Sequence, residues 1–413
     1  MMNILVNAYA VSPNWGSEPG MGWNWVTNLA RYCHLDVITE GEWSREIDEA
    51  LKSLPQRDNI TFHYLPVPEK VRIMCWNQGD WRFYWYYRRW QHRSEAKARE
   101  IIASKHIDVL HQLNMIGFRE PGNLWKIKGI PFVWGPVGGM REDPVGYYGN
   151  VAPSMRMKLW LKRKINGWQM RHYPLSNHAM CHASAVIAAT SQVGDFIRQN
   201  HRQDVITMNE TGCYVKDIDV LHEPSEFFKM VWVGKFYSRK QPAMAIRVLA
   251  ELLRSYPQVR LHMVGDGPES DTVQLHRLAE ELCCAKSVIW HGKIPNKEVH
   301  SLMQQSDIFL FTSIDEGTPH VVLEALQNQL PIVCFDTCGQ GDVVNNTIGV
   351  KIPLTTPDDS VLRFSAEIGK LIDSPELLAG FRRNCPARQR ELSWDSKACK
   401  MVEIYKSVKA HEE

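Results

Sequence analysis

The C-terminal half of the chain repeats one pattern four times: a short apolar run, then a loop that contains glycine. The runs and their loops occupy residues 230–236, 259–268, 287–294 and 307–317. After the first run, Ala245, Leu249 and Leu252 recur at helical intervals, and Pro242 stands in the first turn. Strand and helix patterns that alternate across short loops predict a parallel sheet flanked by helices. Ligands of such sheets bind at the carboxyl ends of the strands.

The loop after the fourth run carries two glutamates at positions suited to a bound ligand. It reads Ser-Ile-Asp-Glu-Gly-Thr-Pro-His-Val-Val-Leu-Glu-Ala over residues 313–325. Glu316 therefore stands at the mouth of the loop, and Glu324 lies inside the helix that follows. A carboxylate in either position can accept hydrogen bonds from sugar hydroxyls. The alternative is an ordinary capped helix with a solvated glutamate.

The start of this helix is itself a candidate anion site. Thr318 is predicted to be the N-cap, and Pro319 to occupy the first helical position. The backbone N–H groups of His320 and Val321 would then point at a group above Gly317. The helix dipole favours a phosphate in that place.

Cationic residues follow the first apolar run. Gly234 and Lys235 end that run, and Arg239 and Lys240 come in the next turn. Because the carboxyl ends of parallel strands share one edge, Lys235 and Lys240 are expected on the same rim as the predicted helix start.

The order of these motifs resembles the family-4 retaining glycosyltransferases of the GT-B fold, in their bacterial group 1 form. The resemblance rests on Val-Gly-Lys with Arg-Lys downstream, Val-Gly-Asp-Gly-Pro, Trp-His-Gly-Lys-Ile and Glu-Gly-Thr-Pro-His-Val-Val-Leu-Glu-Ala. Residues 7–25 and 131–139 resemble the corresponding segments of a bacterial subgroup of that family. The resemblance spans most of the chain, and it is more specific in the C-terminal half than in the N-terminal half.

The resemblance implies an α/β protein of two Rossmann-like parallel-sheet domains that face a cleft. The acceptor-side domain is expected over residues 1–220, and the domain that binds the nucleotide sugar over residues 221–394. Residues 395–413 are expected to form a helix that crosses back to the first domain. A chain of 413 residues is longer than one hydrophobic core usually serves, which agrees with two domains.

The resemblance also assigns roles to residues of this chain. Lys235 and Lys240 would stabilise the departing diphosphate, and Glu316 would contact the donor sugar on the face of reaction. Glu316 is not expected to be a nucleophile, because the leaving phosphate in this family is thought to take the acceptor proton. Glu324 would accept hydrogen bonds from the ribose, and the base would lie against segment 291–294. The full set of expected donor-binding residues is Gly16, Gly138, Gly139, Gly234, Arg239, Gly265, His291, Ile294, Gly317, Thr318, His320, Val321 and Glu324.

The chain departs from the family pattern in two places. Lys235 stands where many relatives have arginine, which removes the bidentate fork and keeps the charge. Residues 132–136 contain no histidine, although many relatives place a sugar-binding histidine there. Gly138 and Gly139 would let the chain approach the donor sugar instead. The glycines of residues 16–22 do not have the Gly-x-Gly-x-x-Gly spacing of a dinucleotide-binding loop. We therefore interpret the loop that begins at Gly16 as a flexible segment that approaches the donor.

The expected function is transfer of a hexosyl group from a nucleotide-diphosphate donor, a UDP- or GDP-sugar, to a glycan or lipid-linked acceptor in cell-surface polysaccharide synthesis. No cofactor and no metal are expected, because the lysines and the helix start already neutralise the diphosphate. Two alternatives stay open: a sugar-nucleotide epimerase on the same fold, and a catalytically weak partner subunit. Asp217 and Asp219 match a metal-binding Asp-x-Asp, but their position in a linker favours chance.

Composition limits the partners and the compartment. A formal net charge of +2 excludes a nucleic-acid partner recruited by bulk charge. The ten cysteines are scattered, and without a secretory signal they are expected to be reduced thiols of a cytoplasmic protein. No apolar stretch is long enough to predict a membrane-spanning helix.

Segment 154–171 has the pattern of an amphipathic helix. Its apolar residues at helical spacing are Met157, Leu161, Ile165 and Trp168. The basic residues that flank this stripe are Lys158, Lys162, Lys164 and Arg171. No Asp or Glu occurs between Asp143 and Asp195, and a basic border with an apolar, Trp-containing face suits an anionic membrane. The protein would then be peripheral on the inner face of that membrane. The alternative is a helix that packs its stripe against the core.

Overall fold

The computed structural model describes residues 1–77, 80–142, 144–148, 153–216, 218 and 225–410. The chain divides into two compact units. The first unit consists of Met1–Arg141, Lys164–Thr211 and Trp394–Glu413, and the second of Glu142–Arg163 and Gly212–Ser393. The predicted boundary at residue 220 therefore falls within the second unit, which also takes in a segment of the N-terminal half.

The first unit is built on a parallel sheet, which within the described residues has seven strands in the order β3-β2-β1-β4-β5-β6-β7. The direction in which strands are added reverses between β1 and β4, which makes their carboxyl ends the switch point of this sheet. The strands are β1 (Met2–Ala8), β2 (Cys33–Thr39), β3 (Ile60–Tyr64), β4 (Val109–Asn114), β5 (Phe132–Val137), β6 (Ala185–Ala188) and β7 (Val205–Thr207).

Helices connect these strands, as the alternating pattern predicts. Both faces of the sheet are covered, because Leu5 belongs to one hydrophobic cluster while Ile4 and Val6 belong to another. Strands buried on both faces are continuous apolar runs rather than alternating ones. The helices are α1 (Ser17–Leu29), α2 (Ser44–Leu51), α3 (Glu69–Trp76), α4 (Arg82–Ser104), α5 (Pro153–His172), α6 (Pro174–His182) and α7 (Ser191–His201). Helix α5 passes from the second unit to the first between Arg163 and Lys164.

The second unit has the same plan. Over the residues described, its sheet has six parallel strands in the order β10-β9-β8-β11-β12-β13, so the switch point lies between β8 and β11. The strands are β8 (Phe228–Val233), β9 (Val259–Val264), β10 (Val288–Gly292), β11 (Ile308–Phe311), β12 (Ile332–Phe335) and β13 (Gly349–Ile352). The helices are α8 (Pro242–Leu252), α9 (Glu269–Glu281), α10 (Asn296–Gln304), α11 (His320–Gln327), α12 (Cys338–Val343), α13 (Pro357–Asp373) and α14 (Pro375–Glu391).

The sheet of the second unit is buried on both faces. Met230 and Trp232 of β8 enter one hydrophobic cluster, and Val231 enters another. Phe309 of β11 pairs with Val231 in register and joins the same cluster. The predicted architecture of two Rossmann-like parallel-sheet domains is therefore confirmed.

The last helix, α15 (Trp394–Ala410), belongs to the first unit. Trp394 packs edge-on against Trp25 of α1, with ring centroids 5.6 Å apart. The Tyr405 hydroxyl lies 2.6 Å from Nδ1 of His111 in β4, and Nε2 of that histidine lies 2.7 Å from the carbonyl oxygen of Gly135. Burial lowers the pKa of His111 to about 4, so the ring is neutral at pH 7 and bridges the helix to the sheet.

Helix α5 turns its apolar stripe to solvent. The exposed fractions run from 48% at Ile165 to 64% at Met157, and Leu161 and Trp168 lie between them. The alternative that the stripe packs against the core is therefore wrong. Within the described ranges, every helix is too short or too polar to cross a lipid bilayer.

Candidate functional site

The carboxyl ends of β8, β9 and β10 meet through backbone hydrogen bonds between glycine-containing loops. The N–H of Gly234 donates to the carbonyl of Val264 at 3.0 Å, and the N–H of Gly265 donates to the carbonyl of Gly292 at 2.8 Å. Gly265 has a φ of +136°, and a Cβ there would lie 1.8 Å from the carbonyl oxygen of Gly234. A side chain cannot be accommodated at this position, so the glycine permits the close approach of the two loops.

A second set of bonds joins the loop after β8 to the loop after β11 at the switch point. The Thr312 hydroxyl accepts a hydrogen bond from Nε1 of Trp232 at 2.9 Å. Its single proton is shared between the carbonyl oxygens of Lys240 and Gln241, each of which lies 2.9 Å from the hydroxyl oxygen. The N–H of Ile314 donates to the carbonyl of Arg239 at 3.0 Å. These bonds fix the loop that carries the two basic residues against the loop that carries Glu316.

The charged side chains of the two loops contact each other directly. Nζ of Lys240 lies 2.5 Å from Oε1 of Glu316, and the two side chains are only 14% and 10% exposed. The Ser313 hydroxyl donates to the same Oε1 at 2.6 Å. Arg239 donates to the carbonyl of Asp315 at 3.2 Å and lies 3.5 Å from Oε2 of Glu316. An ammonium has three donors, so Lys240 can hold Glu316 and still donate to a bound anion.

Helix α11 begins one residue later than the sequence predicts. Pro319 is the N-cap, with φ −70° and an extended ψ of 120°, and its side chain makes no capping bond. The predictions of Thr318 as N-cap and Pro319 at the first helical position are therefore wrong, because the extended ψ delays helical geometry to His320. Thr318 is buried, whereas Gly317 and His320 are exposed. The N–H of Val322 donates to the carbonyl of Pro319 at 3.1 Å, and the dipole of α11 favours an anion at the start of this helix.

Lys235 follows the carboxyl end of β8, and Glu324 lies in the helix that follows β11. Neither side chain forms an ion pair with another described residue. Glu324 lies in α11 and is half-buried. Lys235 is exposed, and its Nζ lies 5.9 Å from the centroid of the Tyr237 ring. Both side chains have polar groups that a ligand can use.

His291 occupies the rim at the end of β10. Its Nε2 lies 2.9 Å from Nδ1 of His262, and the two rings are stacked with centroids 5.2 Å apart. Burial lowers the pKa of His291, and burial together with the neighbouring ring lowers the pKa of His262 to about 4. Both rings are therefore neutral near pH 7 and present flat, uncharged surfaces. Ile294 lies half-buried on the loop that follows.

Three of the predicted donor-binding residues are glycines of the first unit. Gly16, Gly138 and Gly139 belong to the first unit, where the N–H of Gly138 donates to the carbonyl of Ile116 at 2.7 Å. Asp217 and Asp219 lie outside the described residues. The described residues contain no group of three or more His, Cys, Asp or Glu side chains that could hold a metal ion.

Sequence reasoning missed the residues that position the predicted ones. Thr312 and Ser313 hold the two loops and Glu316 in place, and the N–H of Gly339 in α12 donates to the carbonyl of Gly317 at 3.0 Å. The available signal was the Thr-Ser pair directly after an apolar strand, since hydroxyls at a strand end often bond to neighbouring loops.

Comparison with known proteins agrees with this geometry. Residues 215–388 match the family model for glycosyl transferases group 1. The match covers most of the second unit. A D-inositol 3-phosphate glycosyltransferase from Corynebacterium urealyticum is 25% identical over 183 residues, which are 43% of this chain and 42% of that protein. The chain thus matches less than half the length of this curated relative.

Solved structures match nearly the whole chain in fold. The lipopolysaccharide outer core galactosyltransferase WaaB has a TM-score of 0.64 at 15% identity, over 98% of this chain and 99% of that chain. Anabaena Alr3699/HepE, solved in complex with UDP, has a TM-score of 0.59 at 14% identity, over 98% of this chain and 100% of that chain. It was also solved with UDP-glucose. These likenesses confirm the predicted GT-B fold, and the family-model match confirms the resemblance to group 1 glycosyltransferases over residues 215–388.

The first prediction concerns the cation beside Glu316. Lys240→Ala should weaken binding of UDP or GDP by roughly ten- to a hundredfold, because a hydrogen bond to a charged group contributes about 1.5–3 kcal/mol. Isothermal titration calorimetry measures the change. Lys286→Ala is the matched control, since Lys286 is exposed and precedes β10 at the amino edge of the same sheet. Equal nucleotide affinities in the two variants would contradict the assignment.

Proposed function

We propose that this protein is a retaining, hexosyl-type glycosyltransferase of family 4. It transfers a sugar from a nucleoside-diphosphate donor to a glycan or lipid-linked acceptor in cell-surface polysaccharide synthesis. The observation that carries the proposal is the Lys240–Glu316 pair, braced by Ser313 and Arg239 at the switch point of the second sheet. Ligands of open α/β sheets bind at that point.

The donor is proposed to be a UDP- or GDP-sugar. The UDP and UDP-glucose complexes of Alr3699/HepE, a protein of the same fold, support a uridine nucleotide. The diphosphate would lie over the start of α11, where the helix dipole and Lys240 both favour negative charge. The base would lie against His291 and Ile294, and Glu324 would accept hydrogen bonds from the ribose.

The proposed chemistry follows from the charge that develops on the donor. The bond between the sugar's anomeric carbon and the β-phosphate oxygen breaks, and negative charge accumulates on the diphosphate. Lys240, Lys235 and Arg239 stabilise that charge, and the partial burial of Lys240 strengthens its contribution. The acceptor oxygen bonds to the same face of the sugar while its proton passes to the leaving phosphate. Glu316 holds Lys240 and contacts sugar hydroxyls, and no protein nucleophile is required.

The second prediction tests this function and its independence of metal. Purified protein incubated with UDP- and GDP-sugars should release the nucleoside diphosphate, by transfer or slow hydrolysis, equally well in EDTA and in Mg²⁺. The reason is that side-chain cations already stand where a metal would neutralise the phosphates. Liquid chromatography with mass spectrometry measures the products.

The outcomes of that assay separate the alternatives. A 2-epimerised sugar among the products would identify an epimerase, and nucleotide binding without turnover would identify a partner subunit. Activity that disappears in EDTA and returns with Mg²⁺ would contradict metal independence. Glu316→Gln is the accompanying variant, and it should lower turnover while leaving nucleotide binding measurable.

The second part of the proposal is that α5 attaches the protein to the inner face of an anionic membrane. The C-terminal half of α5 docks on the first unit through one face, where Arg119 donates to Gln169 at 2.7 Å and also to Asn166, and Met170 is buried. The stripe that contains Leu161 and Trp168 lies on the other face and is exposed. The basic residues beside the stripe match anionic headgroups in charge. The protein would be cytoplasmic and peripheral on that membrane.

The third prediction tests this attachment. Wild-type protein should sediment with vesicles that contain phosphatidylglycerol and not with pure phosphatidylcholine, and added salt should weaken binding because it screens the charges. Leu161→Ser with Trp168→Ser should weaken binding by more than about tenfold, because each buried apolar side chain contributes about 1.5–3 kcal/mol.

The control removes two exposed leucines of the second unit, Leu362→Ser with Leu377→Ser. Its binding to the same vesicles should match that of the wild type. Wild-type protein that stays in solution, or a control that loses binding equally, would end the membrane hypothesis.

A further inference from the structure

Three tryptophans of the first unit form an aromatic cluster at the carboxyl edge of its sheet. Trp15 lies in the loop after β1, Trp43 directly precedes α2 in the connection after β2, and Trp76 ends α3, which follows β3. The rings of Trp15 and Trp76 are stacked, with centroids 6.4 Å apart and planes inclined by 23°. Trp43 packs against both, at 6.0 Å from Trp15 and 5.4 Å from Trp76.

The cluster has a buried base and two exposed members. Trp43 is only 8% exposed, whereas Trp15 is 58% exposed and Trp76 is 44% exposed. Close packing of the backbone places Trp15, because a Cβ on Gly20 would lie 2.2 Å from the Trp15 carbonyl oxygen. Exposed apolar groups held together on a structured edge mark a binding surface rather than scattered surface residues.

Two carboxylates and one amide make hydrogen bonds beside the rings. Oε2 of Glu42 accepts a hydrogen bond from Nε1 of Trp76 at 2.9 Å, which fixes the ring. Nδ2 of Asn14 donates to Glu46 at 3.0 Å beside Trp15. Both carboxylates have further lone pairs with which to accept hydrogen bonds from hydroxyl groups. Arg72, whose charge acts on Glu42, donates twice to Oε1 of the buried Glu40, at 2.9 and 2.7 Å.

Exposed indole faces with carboxylates beside them favour a ligand that has both an apolar face and hydroxyl groups. A pyranose ring has a face of C–H groups that packs on an indole and a rim of hydroxyls that donate to carboxylates. A diphosphate or an anionic lipid surface would be repelled by Glu42 and Glu46. The cluster is therefore complementary to an uncharged saccharide and distinct in charge from the lysine-bearing rim of the second unit.

We propose that Trp15, Trp43 and Trp76 form a saccharide subsite that binds a neutral pyranose of the acceptor. The assignment to the acceptor rests on the proposed function, whereas saccharide binding by the cluster does not. Trp43 supports the rings, and the exposed faces of Trp15 and Trp76 contact the sugar. The acceptor, whether free glycan or lipid-linked, would thus present an uncharged hexose at this position.

The test uses the full chain and saturation-transfer difference NMR with methyl glucoside, methyl galactoside, methyl N-acetylglucosaminide, maltohexaose and cellohexaose. At least one of these probes should receive saturation from the wild type, strongest at the C–H protons of one ring face. Trp15→Ala with Trp76→Ala should reduce that binding by about tenfold, because the two exposed ring faces that contact the sugar are removed.

The control is Trp85→Ala, because Trp85 is a 53% exposed tryptophan of the same unit outside the cluster. It should leave saccharide binding unchanged, and if the double variant unfolds, the single Trp15→Ala variant carries the test. UDP affinity measured in the same samples should be equal in all variants. The subsite would be overturned if the wild type saturated none of the probes, or if the double variant bound saccharide as well as the wild type. It would also be overturned if the double variant lost vesicle binding and kept saccharide binding. If the wild type bound neither UDP nor GDP, the proposed function would be overturned instead.

Discussion

The candidate site depends on one buried hydroxyl, that of Thr312, which ties the loop after β11 to the loop after β8. It accepts from Trp232 in the core and donates to the carbonyls of Lys240 and Gln241, so the basic loop is held to the sheet itself. Glu316 and Lys240 then meet at 2.5 Å with little exposure to solvent. A loop fixed in this way loses little conformational freedom on binding a ligand, so more of the contact energy is available for affinity.

The two units present different chemistry at the same place in their sheets. In the second unit the carboxyl edge carries Arg239, Lys240 and the start of α11. In the first unit it carries Trp15, Trp43 and Trp76, with carboxylates around them. The first set favours a negatively charged group and the second an uncharged ring with hydroxyls. The proposed transfer reaction needs both kinds of surface, one for the diphosphate of the donor and one for a sugar acceptor.

Much of the second unit could be predicted from the sequence because strand, loop and helix patterns alternate there over short distances. The strand ends at Gly234 and Gly265 were visible as apolar runs broken by glycine. The cap of α11 was mispredicted, because the backbone angles at Pro319 decide where the helix begins and residue preference alone placed it at Thr318. The bonds of Thr312 were not predictable, since they join residues about 70 positions apart whose register only the folded sheet defines. The stripe on α5 was visible as a pattern, but its direction was not, because core-facing and membrane-facing stripes have the same spacing.

A crystal structure of the protein with UDP or GDP would show whether the carboxyl ends of β8 and β11 bind the nucleoside diphosphate. The nucleotide to use is the one that raises the thermal midpoint more. We expect diphosphate oxygens at about 3 Å from Nζ of Lys240 and from N–H groups at the start of α11. We also expect the base beside His291. A nucleotide bound elsewhere, with the Lys240–Glu316 pair untouched by any phosphate, would contradict this placement.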